Sequence, residues 1–423
     1  MAMAELSLDG LFGVDAGFAP ELFERFAPTL EGLRHVLLAQ AREPSHPFFH
    51  LPPPDPVVEE VRVTARELRR MAQRLVVAGI GGSALGAKAL CAGGNEVAFL
   101  EGVDPRSVQR TLRSVDWRKA ALNIVSKSGG TLETLVNAGL ALEALKKAHP
   151  VEWRRRVVAT CSPVDGRLQR WAASEGIKVL QIPQPVGGRY SVLSPVGLLP
   201  SAFQGTDPSV LVAGARSGAD KALLAAGAKN PALAFALALV SFFAAGRTEV
   251  VLWGYGEKAY AFALWAQQLL GESLGRRITA SGAERRVGAT PLCCRGSEDQ
   301  HSLLQLFVDG PLVRWVLLLT GEEPGPALSP KTRAFAGLPD RVVQLGQVQE
   351  ALWKGTQRGL REAGVPVGRY DLGSADAFSL AESFYVFMAA TIYAAALLEV
   401  DPFGQPGVEA GKHHTRDILA AGR

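Results

Sequence analysis

The sequence predicts an α/β protein made of two doubly wound αβα domains with mainly parallel sheets. Three observations carry that expectation. Short apolar runs alternate with helical stretches in two separate series, polar Gly-rich turns stand where strand gives way to helix, and 48% hydrophobic residues in a 423-residue chain can fill large interiors. Such alternation indicates parallel pairing, because each crossover helix returns the chain to the same end of the sheet.

Residues 1–52 read as amphipathic helix, Glu21–Arg42 above all, closed by the turn-rich stretch His50-Leu51-Pro52-Pro53-Pro54. The first αβα domain spans 53–204. Its strands are expected at Arg74–Ile80, Glu96–Glu101, Ala121–Ser126, Arg156–Cys161 and Lys178–Ile182, with helices at Ala84–Cys91 and Thr131–Lys147. Residues 205–228 break the rhythm and read as a connecting segment. The second domain spans 229–400, with strands at Glu249–Tyr255, Val313–Thr320 and Arg341–Leu345, a helix at Lys258–Glu272, and a long buried helix at Ala377–Val400. Residues 401–423 form a C-terminal arm, rich in Gly and Pro and then polar. In such sheets ligands sit at the carboxyl ends of the strands, and a crevice between two domains is a natural pocket.

Bulk properties exclude several classes. A net charge of +4 does not oppose an anionic substrate, and no stretch concentrates Lys and Arg with aromatics as nucleic-acid binding requires. The run Arg154-Arg155-Arg156 reads as a solvated helix end. Cys91, Cys161, Cys293 and Cys294 form no CxxC pair and no zinc-ligand spacing, so they read as free thiols in a reducing cytosol. The N-terminus lacks a basic and apolar leader. The most apolar helical stretches, Ala232–Ala245 and Tyr385–Val400, fall short of the roughly 20 residues that span a bilayer. A soluble, cytoplasmic protein with no membrane partner is expected.

Six segments carry polar chemistry. Gly79-Ile80-Gly81-Gly82-Ser83-Ala84-Leu85-Gly86 joins strand to helix, where glycines let backbone approach a ligand or simply pack tightly; no acid stands at the distance a ribose needs. Ser126-Lys127-Ser128-Gly129-Gly130-Thr131 opens a helix with three hydroxyls, a Lys and two glycines, a cradle suited to one phosphate monoester and more than ordinary capping needs. Gly187-Gly188-Arg189-Tyr190-Ser191-Val192-Leu193-Ser194-Pro195-Val196-Gly197 holds an Arg in a tight loop, either as an oxyanion stabiliser or as an ion-pair partner. Gln267-Gln268-Leu269-Leu270-Gly271-Glu272-Ser273-Leu274-Gly275-Arg276 ends an apolar helix with a Glu, a general base or a solvated last-turn residue. His301 in Gly296–Ser302 and Lys412 in Gly404–Lys412 carry no signal alone. His413 and His414 lack metal-ligand spacing, and Pro47 argues against a helix that would put His46 and His50 on one face.

Taken together, in this order from about residue 75 to 412, the segments resemble the glucose-6-phosphate isomerase family, most specifically in Gly-Gly-Arg-Tyr-Ser-Val-Leu-Ser-Pro-Val-Gly and Gly-Val-Glu-x-Gly-Lys. The resemblance implies two sugar-isomerase (SIS-type) domains. It implies Glu272 as the base moving a proton between C1 and C2, Arg189 as the cation beside the enediolate, and His301 with Lys412 for ring opening. Gly82, Ser83, Gln268 and Gln405 would contact the sugar, and Ser126, Lys127, Ser128 and Thr131 the phosphate. It further implies a homodimer in which His301 comes from the partner subunit, with no cofactor and no metal.

Three departures stand out. Gly130 loses a hydroxyl from the usual Thr-x-Thr-Thr run. Glu272 lies in Gly-Glu-Ser-Leu-Gly-Arg rather than Met-Glu-Ser-Asn-Gly-Lys. Pro406 replaces a frequent aromatic. The implied activity is interconversion of glucose 6-phosphate and fructose 6-phosphate. The alternatives are an isomerase that also takes mannose 6-phosphate, and a non-catalytic sugar-phosphate regulator. The latter would have no need of Glu272, His301 and Lys412 together.

Overall fold

The computed structural model describes residues 4–8, 11 and 21–422. Strand β1 (Glu5–Ser7) precedes helices α1 (Glu21–Gln40) and α2 (Asp55–Met71). Between those helices the Pro-rich stretch makes a short turn of helix at Pro47–His50. The first alternation runs β2 (Arg74–Ala78), α3 (Leu85–Cys91), β3 (Val97–Leu100), α4 (Pro105–Ser114), β4 (Ala120–Val125), α5 (Leu132–Ala148), β5 (Val157–Cys161), α6 (Arg167–Glu175) and β6 (Lys178–Gln181). Its five strands form a wholly parallel sheet in the order β3-β2-β4-β5-β6. The chain reverses direction across the sheet between β2 and β4, so the Gly79–Ser83 and Ser126–Thr131 turns leave the sheet on either side of that reversal.

Helices α7 (Pro195–Gln204), α8 (Pro208–Ala219) and α9 (Pro231–Ala244) lead to the second series. It comprises β7 (Glu249–Tyr255), α10 (Glu257–Leu274), the hairpin β8 (Arg276–Ile278) and β9 (Glu284–Val287), then β10 (Thr290–Gly296), α11 (Leu304–Asp309), β11 (Arg314–Thr320), α12 (Pro330–Phe335), α13 (Leu345–Glu362), β12 (Val367–Asp371), α14 (Ala377–Leu397) and α15 (Glu409–Ala420). The second sheet is ordered β1-β12-β11-β7-β10, parallel except where β1 joins β12.

Both sheets are covered on both faces, and strand residues alternate between two interiors. Leu75, Val77 and Ala121 of the first sheet share one core with Val250, Leu252 and Leu317 of the second, filled by α9, α10 and α14. Val76, Leu122 and Ile124 point to a separate outer core, and Val251, Trp253 and Leu318 to another. Helix α14 is long and apolar enough to cross a membrane, yet nearly all of it lies inside the protein.

The connecting segment, residues 205–228, is mostly helical, and α8 lies directly on α14: a Cβ on Gly214 would stand 2.1 Å from the Phe378 carbonyl oxygen. One expectation is corrected. The strand expected at Arg341–Leu345 is absent. Gln344 instead caps α13 through a reciprocal bond with Gln347, leaving Val343 and Leu345 exposed. The sheet is completed by β10 and β12. Pro291 obscures β10 as a strand, but β10 is a sheet edge, where Pro is tolerated.

Candidate active site

The site gathers around Arg189, whose side chain is almost fully buried. The Gly187–Gly188 turn places it at the start of a short 3₁₀ segment, Gly188–Leu193, that is locked onto the β2–α3 turn. A Cβ on Gly82 would come within 2.2 Å of the Gly188 carbonyl carbon, and the Ser191 hydroxyl donates to the Gly188 and Gly82 carbonyls at 2.7 and 3.3 Å. Packing therefore accounts for Gly82 being Gly, and the same contact sets Arg189 beside that turn.

Helix α10 delivers the carboxylate. Arg189 Nη1 donates to Glu272 Oε2 at 3.1 Å, and Gln268 Nε2, one turn earlier, donates to Oε1 at 3.0 Å. The i, i+4 spacing puts Gln268 and Glu272 on one helix face. The Glu272 side chain keeps 31% of its surface open against 1% for Arg189, so the carboxylate is held by two donors yet reachable from outside. Arg189 Nε donates to the buried Ser273 hydroxyl at 2.7 Å, and Trp265 Nε1 donates to the Arg189 carbonyl at 3.1 Å.

The chain after α14 closes the other side. Asp401 accepts from the amides of Phe403 and Gly404, which folds a tight turn. That turn aims its carbonyls at Arg189: Nη2 donates to Pro402, Phe403 and Gly404 at 2.6, 3.0 and 3.1 Å, and Nη1 to Gln405 Oε1 at 2.7 Å. Phe403 packs against Tyr190 and, edge to face, against the buried ring of His46 at 5.4 Å. Burial depresses the His46 imidazole to about 4.

The Ser126–Thr131 turn lies on the same side. Thr131 occupies the N-cap of α5, but its hydroxyl does not cap the helix; it pairs with Ser126 Oγ at 3.0 Å. The first-turn amides of α5 are thus not taken by a capping side chain. Ser128 Oγ accepts from the Gly130 amide at 3.3 Å, and a side chain at Gly130 would meet open space. Burial, and then the nearby positive charge of Arg189, push the Lys127 ammonium below its ordinary range, so this Lys shares a positive field with the arginine.

The fold thus brings together Arg189, Glu272, Gln268 and Gln405, with Gly82 against Gly188 and Lys127 near Arg189. Ser83 lies in the same turn as Gly82 and closes it, its amide donating to the Ile80 carbonyl. Two expected residues lie elsewhere. His301 is exposed at the end of a short 3₁₀ turn after β10, and Lys412 is exposed on α15, paired with Glu409 at 2.7 Å. Ser273 and Arg276 stand in the site without having been singled out. Their local signal is adjacency to Glu272; the partners that bring them into the site, Arg189 for Ser273 and the 401–404 turn for Arg276, lie far away in sequence.

The phosphoglucose isomerase family profile matches residues 62–315. A glucose-6-phosphate isomerase of Thermus thermophilus is 37% identical over 411 residues, covering 95% of this chain and 97% of the relative. One from Rubrobacter xylanophilus is 33% identical, covering 98% of each. Among solved structures, a hypothetical protein of Thermus thermophilus superposes with a TM-score of 0.88 at 36% identity, covering 99% of this chain and 100% of the other. A Chlamydia trachomatis glucose-6-phosphate isomerase shares the fold at a TM-score of 0.73 and 20% identity, over 86% of this chain and 73% of its own. The match runs through the turns and helix that carry Arg189 and Glu272, and near full-length likeness extends it to the tail: this chain belongs to the phosphoglucose isomerase family.

Proposed function

We propose that the protein interconverts D-glucose 6-phosphate and D-fructose 6-phosphate through a cis-enediolate. The observation that carries this reading is the partly open Glu272 carboxylate held 3.1 Å from a buried Arg189, with the Lys127 ammonium sharing the arginine's field. Aldose–ketose exchange moves one proton between C1 and C2 and leaves negative charge on oxygen in between. A base that can accept and return the proton must therefore sit next to a fixed cation.

In this reading the phosphate docks at Ser126, Lys127, Ser128 and Thr131, where hydroxyls, the α5 amides and the Lys charge all favour a dianion. Remote binding energy then orients the reacting end against Gly82, Ser83, Gln268 and Gln405. Lys412, with His301 of the partner subunit, opens the ring: the C1 hydroxyl loses a proton as the ring oxygen gains one. Glu272 takes the C2 proton, Arg189 stabilises the enediolate oxygen as the hydroxyl proton passes from the C2 oxygen to the C1 oxygen, and Glu272 returns its proton to C1. Exposure of His301 and of all of α15 supports completion of the site by a second subunit. The enzyme works in the cytoplasm as a homodimer.

The test is a coupled assay of fructose 6-phosphate conversion, with mannose 6-phosphate alongside and Glu272→Gln as control. Base catalysis of this kind contributes about 10²–10⁴-fold. The variant should lose at least two orders of magnitude in kcat, with little change in KM. Near-normal turnover by Glu272→Gln would remove the base from this residue.

A further inference from the structure

We infer that Arg276 is a positioning residue: its guanidinium fastens the Asp401–Gln405 turn to the last turn of α10 and so holds the arm in register with Glu272. The inference rests on the isomerase reading above.

Four backbone carbonyls converge on this one side chain. Nη1 donates to the Glu272 carbonyl at 2.6 Å and to Gly275 at 2.9 Å. Nε donates to Asp401 at 3.0 Å, and Nη2 donates to Gly404. The first pair belongs to the C-terminal end of α10, where carbonyls lack helical partners and a cation is favoured by the helix dipole. The second pair belongs to a segment more than a hundred residues away. One planar group therefore caps the helix that carries the carboxylate and grips the arm that follows α14.

The Gly404 carbonyl is the junction. It accepts from both Arg276 Nη2 and Arg189 Nη2, and the next residue, Gln405, accepts from Arg189 Nη1. Two guanidiniums stand side by side around the Asp401–Gln405 turn. Burial, with Arg189 as a neighbouring like charge, lowers the Arg276 pKa, so this crowding opposes the placement and the carbonyl contacts must offset it. An ammonium at this position has no fork and cannot span both segments with the same geometry. Arg276 thus ties the arm to α10 at several points. Without the tie, Gln405 and the chain leading to Lys412 keep the Arg189 contacts but lose their anchor to the end of α10. The base and the phosphate turn keep their own partners.

The test compares Arg276→Ala and Arg276→Lys with wild type in steady-state kinetics and in amide hydrogen exchange over residues 402–408. Displacement of about 1 Å can cost roughly a hundredfold. Arg276→Ala should lower kcat roughly ten- to hundredfold with KM changed by less than about twofold, and should speed exchange in the arm but not in α5. Arg276→Lys, which keeps charge and stem and guards against misfolding of the Ala variant, should fall between the two. A kcat for Arg276→Ala within about twofold of wild type, unchanged arm exchange, or full recovery in Arg276→Lys would each overturn the inference. An inactive wild type would overturn the isomerase reading instead, and arm exchange in the variants would still decide whether Arg276 is the tie.

Discussion

At Arg189 every nitrogen of the guanidinium has a protein acceptor, and one of those acceptors is the Glu272 carboxylate. A cation buried to this degree costs several kcal/mol unless it is paired and hydrogen-bonded, so its neighbours are as much part of the site as the charge itself. The Ser126–Thr131 turn, the proposed phosphate site, has the opposite character: Lys127 has its ammonium destabilised by burial and by Arg189, and a dianion would relieve that field. Replacing Ser126 and Thr131 together by Ala removes the facing pair of hydroxyls. It should raise KM for fructose 6-phosphate about tenfold or more, with kcat changed much less. A double variant with wild-type KM would move the phosphate elsewhere. The segments holding Glu272, Arg189 and the Ser126–Thr131 turn stand out in local composition, each a Gly-rich or helix-end setting with one reactive group, but the roles assigned to them come from the family resemblance. Ser273, Arg276 and Phe403 do not stand out in this way. Beyond the adjacency of the first two to Glu272, their roles depend on partners on distant parts of the chain.

Among the elements, α8 and α14 show how a stretch without periodic signal can be structural. Gly214 and Gly218 bring the α8 backbone against carbonyls of α14, with Cβ positions that would stand 2.1 and 2.5 Å from the Phe378 and Glu382 oxygens. Glu382, fully buried on α14, accepts from Lys221, Ser217 and the Ala4 amide and so ties the N-terminal strand to both helices. Gly214→Ala should therefore cost roughly 1–3 kcal/mol in chemical denaturation, through overpacking rather than lost contacts. A loss under about 0.5 kcal/mol would mean that the helices can separate freely. The strands of the first sheet were legible because each is a compact apolar run between turns. β12, with Gly368 and Arg369 inside it, carries no such run, whereas Arg341–Leu345 imitates one and is held outside the sheet by a helix cap.

For the whole molecule, α15 carries no buried residue, and Val408, Ile418 and Leu419 are exposed with Lys412 on the same arm. If His301 is given to the other subunit of a symmetric dimer, two dead variants should repair each other. Co-expressed His301→Ala and Glu272→Gln chains should form mixed dimers with one complete site, restoring about a quarter of wild-type turnover per chain. No recovery in verified mixed dimers would mean that His301 acts within its own chain. The shared core between the sheets bears on how the proposed sugar substrate would reach Glu272. Leu75 and Leu252, one from each sheet, belong to a single continuous interior with α10 and α14 running through it. The halves have no seam about which to hinge, since swinging them apart would wet the most apolar layer of the protein. Any opening that admits a ligand must then be local, while the scaffold beneath stays still.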